Sequence, residues 1–407
     1  MYRRTPLSHE DMNPSRGPSG AAASPQRVRR VCFVTGTRAE FGLMLTTLRA
    51  ISASEALRLQ IVATGMHLDP RRGATIEHIA AAGCRVDATV PWPARAETAP
   101  VACAAATGRA IAVLARVLGD LGSDVVLVVG DRVEAFAAAA AAHICRRVVA
   151  HVHGGDRALG QIDDSLRHAI TKLAHVHFVA TPAARRRVLR LGEDPWRVHL
   201  VGAPGVDGLT RAAAPWSAVK AAFPQLRRRG YVLVVLHPVD PDPRLEQQRA
   251  QLVLEGLREG GPQQMVVLYP NNDPGASGIV RCWKSLRTAG AIAVPHVSRD
   301  LFLGLMRDAA MLAGNSSSGI IEAASFGTPV IDIGPRQAGR ERNRNVIHCG
   351  YDPVQIRRAM KRIWRRGRPL RYACANVYGG DGAGRRIAQI LSALPPDEVL
   401  LRKIIAC

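Results

Sequence analysis

The chain has 407 residues, enough for two domains of ordinary size that each bury their own core. Hydrophobic residues make up 47% and aromatic residues only 4%, which suits Ala/Val/Leu/Ile helices packed on parallel sheets; no unbroken apolar run reaches the roughly 18 residues of a membrane span, so no membrane role is expected. The formal net charge is +22, but the basic residues are nearly all Arg in short scattered runs without aromatic partners to stack on bases, so nucleic-acid binding is disfavoured, while the field would still draw in anionic substrates such as nucleotides.

Residues 1–29 are rich in Pro, Ser, Gly and Arg and lack the apolar segment of a signal peptide. They read as a disordered extension, with Met12 as an alternative start. The eight Cys are scattered without a Cys-x-x-Cys pair, so reduced thiols and a cytoplasmic location are expected.

From residue 30 onward, apolar strand-like runs alternate with amphipathic helical stretches. Strands are expected at 30–35, 57–63, 124–129, 147–152, 177–180 and 199–201. After the Gly/Pro stretch Gly202-Ala203-Pro204-Gly205 the pattern restarts, with strands at 231–236, 264–269, 310–314 and 329–333. Alternation of this kind argues for parallel sheets wound on both faces by helices, and the restart argues for two of them. The expected architecture is α/β, two doubly wound Rossmann-type domains (30–206 and 207–385) facing each other across a cleft, with a C-terminal helix in 386–407 packing back on the first domain. Ligands in such sheets sit beyond the carboxyl ends of the strands.

The first strand runs into Thr35-Gly36-Thr37-Arg38-Ala39-Glu40, where a turn and a helix start can hold an anion. The Gly-x-Gly-x-x-Gly dinucleotide fingerprint is absent, which disfavours NAD. The richest segment follows. Gly130-Asp131-Arg132 ends one strand, and His151-Val152-His153-Gly154-Gly155-Asp156 ends the next. Beyond it lies Ile162-Asp163-Asp164-Ser165-Leu166-Arg167-His168. Leu166, Ala169, Ile170 and Leu173 have helical spacing, which puts Asp163 and Asp164 at a helix N-terminus. Capping explains one of them, and the dipole there favours an ionised base. His151, His153, His168, His175 and His177 crowd this stretch, so a metal site is a rival reading, although the spacing fits no standard zinc pattern. His175 and His177 are equally readable as buried, hydrogen-bonded core residues.

In the second half, His237-Pro238-Val239-Asp240 and Tyr269-Pro270-Asn271-Asn272-Asp273 each end a strand and should face the cleft. Gly314-Asn315-Ser316-Ser317-Ser318-Gly319 supplies hydroxyls and backbone N–H groups for phosphates, without the Gly-Lys-Ser/Thr of a hydrolysing P-loop. Glu322, near the start of the helix that follows, could accept bonds from a ribose diol. A Gly-rich turn at 378–384 precedes a last helix.

Taken in order over about 30–385, these motifs resemble those of the UDP-N-acetylglucosamine 2-epimerases, specifically the hydrolysing, sialic-acid-type branch. Thr64-Gly65-Met66-His67, Phe326-Gly327-Thr328-Pro329 and Gly339-Arg340-Glu341 also carry the likeness. The resemblance implies a GT-B-like fold and a reaction free of metal and cofactor. UDP is eliminated from C1 as the C2 proton leaves, giving a 2-acetamidoglucal; water then adds, releasing N-acetylmannosamine for sialic-type acid synthesis. A homo-oligomer, dimer or tetramer, is also implied.

Carried over by motif, Asp131, Asp163 and Asp164 match catalytic positions, and Arg38, Arg132, Ser316, Ser317 and Glu322 match UDP-contacting ones, with Phe302 placed to pack on uracil. His237, Asn271 and Ser318 complete the candidate binding set. A third family carboxylate, in a His-x-Glu-Gly-Gly pattern, is His153 here. An imidazole can also move a proton near neutral pH, and the departure suggests a sub-branch whose sugar differs, such as UDP-N,N'-diacetylbacillosamine. A non-hydrolysing epimerase and a GT-B glycosyltransferase are the remaining alternatives. Loops 71–76 and 92–98 are expected to contact the sugar.

Overall fold

The computed structural model describes residues 28–69, 75–92, 100–157, 163–259, 261–262, 264–270, 274–286 and 291–406. Most of the expected N-terminal extension, most of both sugar loops, and Asn271 lie outside the described residues.

Two parallel sheets organise the chain. The first is built from β1 (Arg29–Thr35), β2 (Leu57–Thr64), β3 (Ala88–Val90), β4 (Val125–Val129), β5 (Val148–Val152), β6 (Val176–Val179) and β7 (Val198–Leu200), in the order β3-β2-β1-β4-β5-β6-β7. The second contains β8 (Tyr231–Val235), β9 (Gln264–Leu268), β10 (Ala291–Val294), β11 (Met311–Gly314), β12 (Val330–Ile333) and β13 (Val346–Cys349), in the order β10-β9-β8-β11-β12-β13. A short antiparallel hairpin, β14 (Trp364–Arg365) and β15 (Arg368–Pro369), follows. Strand order reverses between β1 and β4 in one sheet and between β8 and β11 in the other. These are the switch points at which such sheets open a ligand crevice.

Helices α1 (Arg38–Ser52), α2 (Glu77–Ala81), α3 (Pro100–Asp120), α4 (Val133–Ile144), α5 (Asp163–Leu173) and α6 (Pro182–Arg190) accompany the first sheet. After α7 (Leu209–Ala212) and α8 (Trp216–Ala222), the second sheet is accompanied by α9 (Pro243–Leu257), α10 (Ala276–Lys284), α11 (Arg299–Asp308), α12 (Ser317–Ile321) and α13 (Pro353–Ile363). The chain ends with α14 (Ala383–Ser392) and α15 (Asp397–Leu401).

Strand β4 shows why these runs become strands. Val125, Leu127 and Val129 pack on the face covered by α1, and Val126 and Val128 on the face covered by α3 and α4. A strand buried on both faces has to be apolar at every position, and each such side chain contributes about 1.5–3 kcal/mol by burial. The expected strands agree with the observed ones to within a residue or so at each end. Within the two sheets three were missed: β3, β10 and β13. All are edge strands of three or four residues, and each leaves most of its positions only partly buried, so none makes the longer apolar run of a central strand.

The C-terminal helices lie on the first sheet's core. Ile387, Ala388, Leu391 and Leu400 join Val31, Met44 and Leu48 in one cluster. Arg29, expected in the extension, is instead the first residue of β1, and its guanidinium donates to the Leu391 carbonyl (2.9 Å). The buried Arg197 donates to the Leu400 carbonyl (2.8 Å). The Gly-rich turn before α14 holds one of the protein's own carboxylates: Asp207 accepts from the Gly382 and Gly384 N–H groups (2.8 and 2.9 Å).

By length and composition α3 is apolar enough to cross a membrane, with a mean hydropathy of 1.6. Alanines and valines outweigh Arg109 and Arg116 in the average, although no apolar run is unbroken. In the fold, α3 buries Ala106, Ala110, Leu114 and Leu118 against the first sheet and turns both arginines outward.

Candidate active site

The edge of the first sheet is shaped at Gly130, which leaves β4 with φ 78° and so turns the chain sharply in a conformation costly for other residues. Gly130 donates to the Val152 carbonyl (3.0 Å) and accepts from His151 Nε2 (2.8 Å). A carbonyl can only accept, so His151 carries its proton on Nε2, and Nδ1 faces the Thr171 hydroxyl at 3.3 Å. Burial pushes the His151 pKa down to about 3, and the ring stays neutral. His151 is thus a brace beneath the turn that presents Asp131.

Asp131 stands at the edge and is gripped by Arg167 of α5, whose side chain is nearly buried. A second guanidinium nitrogen of Arg167 donates to the His153 carbonyl (3.4 Å). Next along α5, Asp164 pairs with His168 one turn later (3.4 Å). Asp163 begins this helix, as expected from the sequence. His153 follows β5, and its Nδ1 lies 2.9 Å from Asp156. Asp131, His153, Asp163 and Asp164 are therefore delivered to one sheet edge by β4, β5 and α5.

The remaining histidines divide differently from the sequence grouping. His175 precedes β6 at the opposite end of the sheet, where its Nδ1 accepts from the Val149 N–H (3.0 Å), and burial holds its pKa down at about 3. His177 is fully buried beside Glu193 (2.9 Å). Both are core residues. Among the described residues, no three His, Cys, Asp or Glu side chains converge as a metal ion would require.

At the β1 switch point, Thr37 caps α1 by accepting from Glu40 N–H (3.2 Å), while the Glu40 carboxylate accepts from Gly36 N–H (2.8 Å). The turn at the end of β1 is thus closed by one of the protein's own carboxylates. Burial raises its pKa to about 7; Glu134 adds to the rise, and Arg132 opposes it. Arg132 is held in a two-bond pair with the buried Glu134 (2.9 and 3.1 Å). Arg38 is exposed at the first turn of α1.

In the second sheet, Gly314 has φ 134°, and a Cβ there would sit 2.1 Å from the Val235 carbonyl oxygen, so β11 can approach β8 only with glycine. The adjacent Asn315 ties the two strand ends together. It accepts from His237 N–H (2.7 Å) and donates to the His237 carbonyl (2.8 Å). Burial pushes the His237 pKa down to about 4, helped by nearby Arg336. Ser316 caps α12, with its hydroxyl 2.8 Å from that of Ser318, and Ser317 opens the helix.

Glu322 is not near a helix start as expected. α12 is a single turn ending at Ile321, because the chain tightens into a 3-10 turn at Ala323–Phe326, and Glu322 sits at the junction. There it pairs with Arg299 (3.0 Å), which also lies over the ring of Phe302 (5.9 Å).

The two halves meet beside His153. Asp156, Arg157 and Arg187 from the first and Arg340, Glu341 and Tyr378 from the second line one small opening. Thr181 donates to the Glu341 carboxylate, and Tyr378 donates to the Glu341 carbonyl (3.0 Å).

The family model described as UDP-N-acetylglucosamine 2-epimerase matches residues 49–392. The chain belongs to this family. Among epimerases of known name, it is similar to the UDP-N,N'-diacetylbacillosamine 2-epimerase (hydrolyzing) of Legionella pneumophila, at 34% identity over 92% of this chain and 99% of that one. It is also similar to the UDP-N-acetylglucosamine 2-epimerase of Neisseria meningitidis, at 32% identity over 81% and 86% of the two chains. In fold it resembles the crystal structure of a Neisseria meningitidis epimerase bound to UDP-GlcNAc. The TM-score is 0.76 at 19% identity, covering 90% of this chain and all of that one. The fold is the GT-B-like pair of Rossmann-type domains expected for such epimerases.

Arg167, Asp156, Glu134 and Arg299 were not singled out from the sequence. Arg167 was detectable as a charge on the helical stripe that Ile170 shares, and the buried face of α5 turns out to be Arg167, Ile170 and Thr171. Asp156 lies three residues from His153, a spacing that a turn closes.

Proposed function

We propose that this epimerase is a hydrolysing UDP-sugar 2-epimerase. It would convert UDP-N-acetylglucosamine to UDP and N-acetylmannosamine, the entry to sialic-type acids. The observation that supports this reading is that the end of β4, the end of β5 and the start of α5, which carry Asp131, His153 and Asp163–Asp164, are tied together at one sheet edge by Arg167. Opposite, the second sheet's switch point carries His237 and Ser316–Ser318.

Asp131 and His153 act as the acid–base pair at C2. One takes the C2 proton as the C1–O bond breaks and its electron pair leaves with UDP. Water then bonds to C1 of the 2-acetamidoglucal, and a proton returns to C2 on the opposite face. Asp163 and Asp164, at the amino end of α5, assist the water. Arg38, Arg132, His237 and Ser316–Ser318 stabilise the departing diphosphate. Glu322 takes the ribose and Phe302 the uracil, and Asn271 belongs to the same binding set. For Arg132 and Glu322 to do this, each loosens its ion pair, with Glu134 and Arg299 respectively.

UDP-N,N'-diacetylbacillosamine is a second substrate reading, favoured by likeness to the Legionella pneumophila relative along almost its whole length. A cytoplasmic homo-oligomer that needs neither metal nor cofactor, and that binds neither nucleic acid nor membrane, completes the proposal. UDP release measured by a coupled assay, with chelator present, tests it. Turnover of at least one of the two sugar nucleotides is expected, and their kcat/KM ratio names the substrate. Release from neither overturns the reading.

A further inference from the structure

The loop after β5 spends conformational energy on one side chain. His153 has φ 66°, in the left-handed region that is unfavourable for a residue with a Cβ. It is held there by its N–H donating to the Phe178 carbonyl (3.0 Å) and by Arg167 donating to its own carbonyl (3.4 Å). Two glycines follow. Gly155 has φ 75°, and a Cβ there would lie 2.5 Å from the Ala184 carbonyl oxygen. The turn can close only with this residue, and closing it returns Asp156 to the ring of His153.

We infer that Asp156 is a positioning residue that fixes the His153 tautomer. Its carboxylate accepts from Nδ1–H at 2.9 Å, so the Nε2 lone pair is left as the proton acceptor. Both side chains are close to 90% buried, at 12% and 11% exposure, so the pair is shielded from competing water. Nε2 has no hydrogen-bond partner among the described residues and is not sealed from solvent. An ionised carboxylate is needed for this arrangement. Burial alone would raise the Asp156 pKa, but His153, Arg167 and Arg340 outweigh it and hold the group below the usual carboxylate range. Arg167 is also the residue that grips Asp131, so one guanidinium sets both members of the proposed acid–base pair. A carboxylate that fixes a catalytic imidazole in the correct tautomer is a general device.

The catalytic consequence rests on the proposed epimerase reading; the tautomer does not. The test therefore has two arms on the full-length protein. Nitrogen-15 NMR of labelled histidine, with His153 assigned by difference from His153→Gln, should show the Nδ1–H form in the wild type and a shift toward Nε2–H in Asp156→Asn. In steady state, Asp156→Asn should lower kcat about 100-fold. KM and UDP affinity should stay within about threefold, and Asp156→Glu should recover part of the loss. A wild-type Nε2–H form overturns the inference. So does an unchanged tautomer in Asp156→Asn, or a parallel loss of kcat and UDP affinity. If the wild type turns over neither sugar nucleotide, the epimerase reading fails, and the NMR arm still decides the tautomer.

Discussion

Arg167 reaches from the first turns of α5 to the carboxylate of Asp131 at the end of β4, crossing from helix to strand through a nearly buried guanidinium. The pair fixes where Asp131 points and ties the helix that begins with Asp163 to the sheet edge. A mostly buried carboxylate that still reaches solvent is accessible for proton transfer and poorly placed to lose a buried partner.

Asp131→Asn keeps the shape of the side chain and removes its basicity. Turnover should fall by about 10³-fold or more, while UDP binding measured by calorimetry stays within a few-fold of wild type. Retained turnover would remove Asp131 from the chemistry.

Arg167→Met deletes the cross-link but keeps the packing volume. We expect a stability loss of about 1–3 kcal/mol by denaturant unfolding, with a fall in kcat of about 10–100-fold as Asp131 and the His153 loop lose their common anchor. Wild-type stability together with wild-type kcat would show that the contact is idle.

Glu40 gives a pH signature. Its pKa is raised from 4.5 to about 7 in the folded protein, chiefly by burial. A raised carboxyl contributes stability that is fully present below its unfolded pKa and lost as pH rises through the folded value. Relative to Glu40→Gln, which keeps the acceptor for Gly36 N–H, the wild type should therefore lose stability between about pH 4.5 and 7. The loss should plateau above that at no more than about 3 kcal/mol. Parallel Tm profiles against pH would show the Glu40 carboxylate to be unstrained.

Gly314→Ala should be severely destabilising, by about 3 kcal/mol or more, because the added methyl meets the Val235 carbonyl at an impossible distance and at a φ that disfavours any Cβ. Soluble protein with an unchanged Tm would contradict the tight β8–β11 approach.

The two-sheet architecture was legible because β1, β4, β5, β8 and β11 are central strands, largely buried on both faces, and so read as mostly apolar runs. Edge strands β3, β10 and β13 are shorter and mostly only partly buried, which leaves a weaker signal. The positions of Asp131, His153, Asp163 and Asp164 were legible from strand ends and a helix start. Their partners were not: Arg167 and Asp131 are 36 residues apart, and only the packing of α5 across β4 brings them together. Histidines mislead for the converse reason. His151, His153 and His177 are near in sequence, but the fold makes them a brace under the Gly130 turn, a loop residue paired with Asp156 and a buried partner of Glu193. Spacing alone does not reveal which residues of a strand face the ligand.

Proton NMR of the reaction in deuterated water tests hydrolytic epimerisation most directly, with UDP-N-acetylglucosamine and UDP-N,N'-diacetylbacillosamine supplied separately and chelator present. Proton removal at C2 followed by water addition requires free UDP and a free 2-epimeric sugar carrying deuterium at C2. Return of intact UDP-sugar epimerised at C2, or release of UDP with a sugar that keeps its original C2 proton, would contradict it.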